Sequence, residues 1–233
     1  MKTILLISSL TLVAAPALAT ASNSNITNID AAANSMNIAK LQQLSTSTQD
    51  YDQAYANYRL AISANVMGQK SLAGSALAVA QATLEALQAS QANAESLALL
   101  SSVYGMQIAL DTSKGAILGF KSAKAIASAE QLEPQNPRVA LVKAIAAYNT
   151  PPLFGGSMQN AQALASTAIE RFAGPCDNIC WGEAEAYTWR GLAKQELGDN
   201  QGAIEDWQRA LKVQADYAWA QFLLQQNQQL SAK

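Results

Sequence analysis

Residues 184–217, AEAYTWRGLAKQELGDNQGAIEDWQRALKVQADY, constrain the fold more than any other stretch of the chain. Leu192, Ala193 and Leu197 give a first helix its apolar face. Gly198-Asp199-Asn200 stops it, because Gly ends helices in the left-handed conformation and Asp or Asn caps the next one. Ala203, Ile204, Trp207, Ala210, Leu211 and Val213 then recur at three- and four-residue steps, which makes a second amphipathic helix. Gly191, Ala203 and Ala210 are small where two helices must approach closely. A hairpin this short cannot bury its apolar face alone, so neighbouring hairpins are required.

The stretch resembles a tetratricopeptide repeat, with Tyr187, Gly191, Leu197, Gly198, Ala203, Trp207, Ala210 and Leu211 on the family pattern. It departs from that pattern at Arg190, Lys194 and Ala215. The resemblance implies an all-α fold, a right-handed α-α superhelical solenoid of about four helical hairpins with a C-terminal capping helix. It implies partner holding rather than a reaction.

The rest of the chain supplies the neighbours. Matching Gly68 to Gly198 places Ala61, Ala73 and Ala80 on the small positions, which gives a first repeat at 54–87. A second unit spans 94–136, with Leu97, Leu100, Tyr104 and Ile108 on one face, and it ends at Glu133-Pro134-Gln135-Asn136-Pro137. A third spans 137–170 and opens on Pro137, whose missing N–H costs nothing at the first helical position. The fourth is 184–217, and 218–231 reads as the cap, with Trp219 and Phe222 covering the last repeat. The helical repeat domain is therefore 49–233.

Residues 1–19, MKTILLISSLTLVAAPALA, read as a secretory signal peptide cleaved after Ala19, which places the protein in the periplasm or outside the cell. No later stretch is long and apolar enough to cross a bilayer. Residues 20–48 are polar and low in complexity, and read as a flexible N-terminal arm with at most a short helix from Asp30 to Leu44. Cys176 and Cys180 are the only cysteines, and an even pair in an exported chain reads as a disulfide.

Composition excludes several functions. Histidine is absent, which removes Ser-His-Asp and Cys-His catalysis and the common zinc sites. A net charge of −2 argues against nucleic acid. Alanine accounts for 47 of 233 residues, as closely packed helices require. The expectation is a protein that is not an enzyme, with no cofactor, no metal and no catalytic residues. It acts as an interaction scaffold in the cell envelope and holds a protein or peptide partner. A small-ligand or glycan-binding module using Tyr148, Phe154 and Trp181 is the alternative, and a carboxylate enzyme using Glu95, Glu185 and Glu196 is a weaker one.

Two surfaces are candidates for the partner. The connections inside the second and third units are longer than in 184–217, and equivalent connections emerge on one edge of a solenoid. The Lys114–Gly119 and Thr150–Gly156 loops should therefore be neighbours. Leu153 and Phe154 either tuck back onto the core or form an apolar knob beside Lys114 and Lys121. The inner surface, built by the first helix of each repeat, offers Tyr55, Tyr58, Arg138 and Tyr148. Tyr suits recognition because its ring buries area while its hydroxyl keeps a partner.

Overall fold

The computed structural model describes residues 16–176 and 179–231, and their regular secondary structure is entirely helical. In chain order the helices are α1 (Pro16–Asn34), α2 (Ile38–Ser47), α3 (Asp50–Val66), α4 (Lys70–Gln91), α5 (Ala94–Leu110), α6 (Gly115–Leu132), α7 (Pro137–Asn149), α8 (Met158–Phe172), α9 (Glu183–Glu196), α10 (Asn200–Val213) and α11 (Ala218–Ser231). They pack as antiparallel hairpins, α3 on α4, α5 on α6, α7 on α8 and α9 on α10, and each hairpin stacks on the next. The result is a helical-repeat solenoid ending in α11. Residues 1–15 of the expected signal peptide lie outside the described residues, and 16–19 open α1.

Local chemistry sets the helix ends. Asn93, Asn136, Ser157 and Asp199 each turn a side-chain oxygen onto a backbone N–H of the following first turn, satisfying donors that a helix start leaves open. Pro137 fills the first position of α7 behind Asn136.

Small residues let the helices meet. Ala54, Ala61, Ala73 and Ala80 are fully buried where α3 crosses α4. At the fourth hairpin a methyl group on Gly191 would lie 2.5 Å from Nε1 of Trp207 and 3.1 Å from the Ala203 carbonyl. That glycine is required by the large indole, which is itself completely buried. Two of the three departures from the repeat pattern also find their reason here. Arg190 donates from Nε and Nη2 to the carboxylate of Asp206 at 2.9 and 2.6 Å, and Lys194 reaches the same carboxylate at 2.9 Å. Two cations one turn apart on α9 thus neutralise one buried acid on α10, and the hairpin is clamped by charge where the family uses apolar contact.

Three expectations are corrected. The polar segment 20–48 is not a flexible arm. It forms α1 and α2, with Ile26, Ile29 and Leu41 fully buried. Its buried apolar residues are sparse, and Asn25 and Asp30 bind α3 through Asp52 and Tyr55. Gly115–Gly119 is not a loop either. Only a 3-10 turn, Thr112–Lys114, separates α5 from α6, so the extra residues of the second unit lengthen its helices. The inner-surface residues Tyr55 and Tyr58 do not face solvent, since both rings are buried.

Gly191→Ala should force Trp207 or the α10 backbone to shift and cost about 1–3 kcal/mol. Urea denaturation followed by circular dichroism reads this directly. A change within a few tenths of a kcal/mol would show that the indole has room.

Candidate functional site

The inner surface closes on itself. The Trp181 ring, in the linker between α8 and α9, stacks on Tyr55 with centroids 5.1 Å apart. Its Nε1 donates to the Tyr51 hydroxyl at 2.9 Å, a contact between residues 130 apart in sequence. Tyr51 in turn stacks on Tyr55. Cys180 precedes Trp181, and its disulfide to Cys176 bears out the pairing read from the sequence.

A groove of about 950 Å³ remains along the edge where α5, α7 and α9 begin. Its walls come from α1, the α6–α7 turn, the disulfide linker and the α10–α11 turn, with Phe172, Ile179 and Trp181 as apolar lining. Five carboxylates line it, Asp30, Glu95, Glu133, Glu183 and Asp216, against the two guanidinium groups of Arg138 and Arg171.

One of these pairs is already satisfied. Arg138 donates from Nε and Nη2 to both oxygens of Glu95, each at 2.6 Å, and lies over the Phe172 ring. Asn136, the α7 cap, also donates to Glu95 at 2.6 Å and to Glu133 at 2.9 Å. Glu95 is thus held in place, and its oxygens are occupied. The remaining carboxylates leave the groove with excess negative charge. Burial pushes Asp30 above the ordinary carboxylate range; Arg59 and the Tyr55 hydroxyl act against this, and Asp216 across the groove adds to it. Burial likewise raises Glu183.

Beneath the groove lies a buried charged layer. The Tyr55 hydroxyl donates to Asp30 at 2.6 Å, and Arg59 lies 3.5 Å from the same carboxylate. Glu185 is buried on the Arg59 side, and desolvation raises its pKa against the pull of Arg59. The hydroxyl of Tyr217 is pushed up by burial and then by Glu185.

The other sequence candidates fall in four places. Arg138 is in the groove wall, while Tyr55 and Tyr58 lie in the core beside the buried charges. Tyr148 packs edge-on against Trp189 at 5.1 Å, which packs edge-on against Trp219 at 5.0 Å. Lys114 and Lys121 are half exposed, and Leu153 and Phe154 are exposed at 88% and 76%. The Leu-Phe pair therefore does not tuck back onto the core. Tyr148, Phe154 and Trp181, the ligand-binding set, have no ring contact with one another and sit in separate surroundings. Sequence reading missed Asp30, Glu183 and Asp216. Their only signal was acidity, and the fold had to bring them together.

No family model and no curated protein sequence matches the chain. Among solved structures, the HusA haemophore from Porphyromonas gingivalis has a TM-score of 0.53 and 21% identity, covering 79% of this chain and 96% of its own. TTC0263, a thermophilic TPR protein of Thermus thermophilus, has a TM-score of 0.53 and 16% identity, covering 87% of this chain and 98% of its own. These likenesses show the fold, a TPR-like helical repeat.

A carboxylate whose pKa is higher folded than unfolded binds more protons in the folded state within that window. Stability then falls as pH rises through it. Glu185 is such a group, with an ordinary value of 4.5. Glu185→Gln should gain stability relative to the native chain as pH rises above that value, and the gain should vanish at lower pH. Paired urea titrations across the acid range measure it. A difference independent of pH would remove the desolvated charge from the account.

Proposed function

We propose that this chain is a non-enzymatic interaction scaffold of the cell envelope whose groove takes a basic segment of a protein partner. The excess negative charge of the groove carries this reading. Arg138 satisfies Glu95, while among the described residues Glu183 and Asp216 form no ion pair. A lysine or arginine side chain entering between them would relieve the repulsion from Asp30, while its stem lies along Phe172 and Ile179. Such charge complementarity sets specificity and association rate more than raw affinity. The secretory signal read from residues 1–19 and the Cys176–Cys180 disulfide support an oxidising compartment outside the cytoplasm.

A second reading, a small-ligand module, has support of its own. HusA shares the fold and is a haemophore. The groove also has the volume of a small-molecule site.

Calorimetry with a lysine-bearing peptide and its glutamate counterpart tests the first reading. The basic peptide should bind, weaken with salt, and lose roughly tenfold in affinity in Glu183→Gln/Asp216→Asn. Equal binding of the two peptides, or no effect of the double variant, rejects it. Haemin titrated in parallel reads the alternative, where a stoichiometric Soret shift would favour a ligand carrier.

A further inference from the structure

The four most exposed large apolar side chains among the described residues are Ile117 at 69%, Phe120 at 74%, Leu153 at 88% and Phe154 at 76%. All four lie on one edge. α5 and α7 pack on each other as the first helices of successive hairpins, so the α5–α6 and α7–α8 connections emerge together. Ile117 and Phe120 stand on the first turns of α6, and Leu153 and Phe154 on the 3-10 turn Pro152–Phe154.

The exposure is built in. Gly155 takes a φ of +93°, and a methyl group on Gly156 would sit 1.6 Å from the Thr150 carbonyl oxygen. Ser157 N–H donates to the Ala147 carbonyl at 2.9 Å and closes the loop. The Leu-Phe tip is thus turned outward by the backbone path of the loop. Leu118, between the two exposed α6 residues, is the one that faces the core.

Charge on this edge is mixed, with lysines gathered around the α6 tips and Asp111, Glu85 and Glu196 close by. Between Asp111 and Glu130 there are three lysines and no acid, and between Glu133 and Glu170 there is no acid at all. Lys114 meets Asp111 at 4.0 Å and Lys121 meets Glu85 at 3.9 Å, both half exposed, where such pairs are worth little. Lys124 is exposed and forms no ion pair among the described residues. The apolar tips project outward and lie outside the groove. That shape suits a flat, deformable surface better than an inserted helix or peptide.

From this arrangement we infer that the edge is a peripheral docking surface for an anionic lipid bilayer. Leu153, Phe154, Ile117 and Phe120 enter the boundary between headgroups and acyl chains, and Lys114, Lys121 and Lys124 meet lipid phosphates. Apolar area supplies the affinity and the lysines supply the preference for anionic lipid. The inference does not depend on what the groove takes. The groove opens where α5, α7 and α9 begin, at the opposite edge, so a membrane-docked molecule presents it away from the bilayer.

Co-sedimentation of the full chain with vesicles is the test, using phosphatidylcholine alone or mixed with phosphatidylglycerol. The native chain should sediment with the mixed vesicles. Leu153→Ser/Phe154→Ser and Ile117→Ser/Phe120→Ser should each weaken this on the order of tenfold with unchanged circular dichroism. Lys114→Gln/Lys121→Gln/Lys124→Gln should abolish the preference for phosphatidylglycerol. All variants keep residues 1–19, so their difference from the native chain isolates the edge from the N-terminal apolar run. Sedimentation unchanged in both serine variants overturns the inference. So does failure of the native chain to bind either vesicle, and a protein cross-linked at the edge in that case would make it a protein surface instead.

Discussion

Everything in this molecule rests on how closely its helices approach. Where α3 crosses α4 the buried contacts are alanines, and where α9 crosses α10 a glycine leaves no room for a methyl group. Thin interfaces let successive hairpins stack tightly enough that side chains from the first reach the linker that leads into the fourth. Tyr51 and Tyr55 on α3 then meet Trp181, and the inner surface fills with rings instead of staying open. An open concave face is the usual binding surface of a helical solenoid. Here that face is core, which leaves the two edges for the recognition proposed above.

The two edges differ in a way helix geometry helps to sustain. The groove lies at the N-termini of α5, α7 and α9, where Glu95, Glu183 and Glu185 occupy first turns. Carboxylates are favoured there, because the helix dipole places partial positive charge at that end. Lys114 follows the C-terminus of α5, where a cation is favoured for the same reason. The helix dipole thus favours the acids of the groove edge, although Arg138 also stands there and Asp111, Glu196 and Asp199 stand at the opposite edge.

Much of the fold was legible in the sequence. Glycine turns, capping residues and apolar periodicity are local signals, and they found the helices of all four hairpins. Three things were hidden because they are not local. Asp206 explains Arg190 and Lys194, but it lies across a turn on another helix. Ile26 and Ile29 are too few to mark a buried helix until α3 is seen to receive them. Tyr55 and Tyr58 read as an exposed recognition stripe because nothing in their own segment announces Trp181 or Glu185. For the candidate site the gap is wider. The exposed Leu153 and Phe154 could be named from a loop with no helix to bury them, whereas the groove draws on segments spread over most of the chain.

The contact between Trp181 and Tyr51 also bears on how the chain reaches this structure. Most of its other packing joins neighbours in sequence, which favours fast and independent formation of each hairpin. A bond spanning 130 residues cannot form until the intervening repeats have stacked in register. Closure is thus a late step that checks the earlier ones. It ties the first repeat to the linker that leads into the fourth, so that the first repeat, which frays early in an open array, is held by a segment far along the chain.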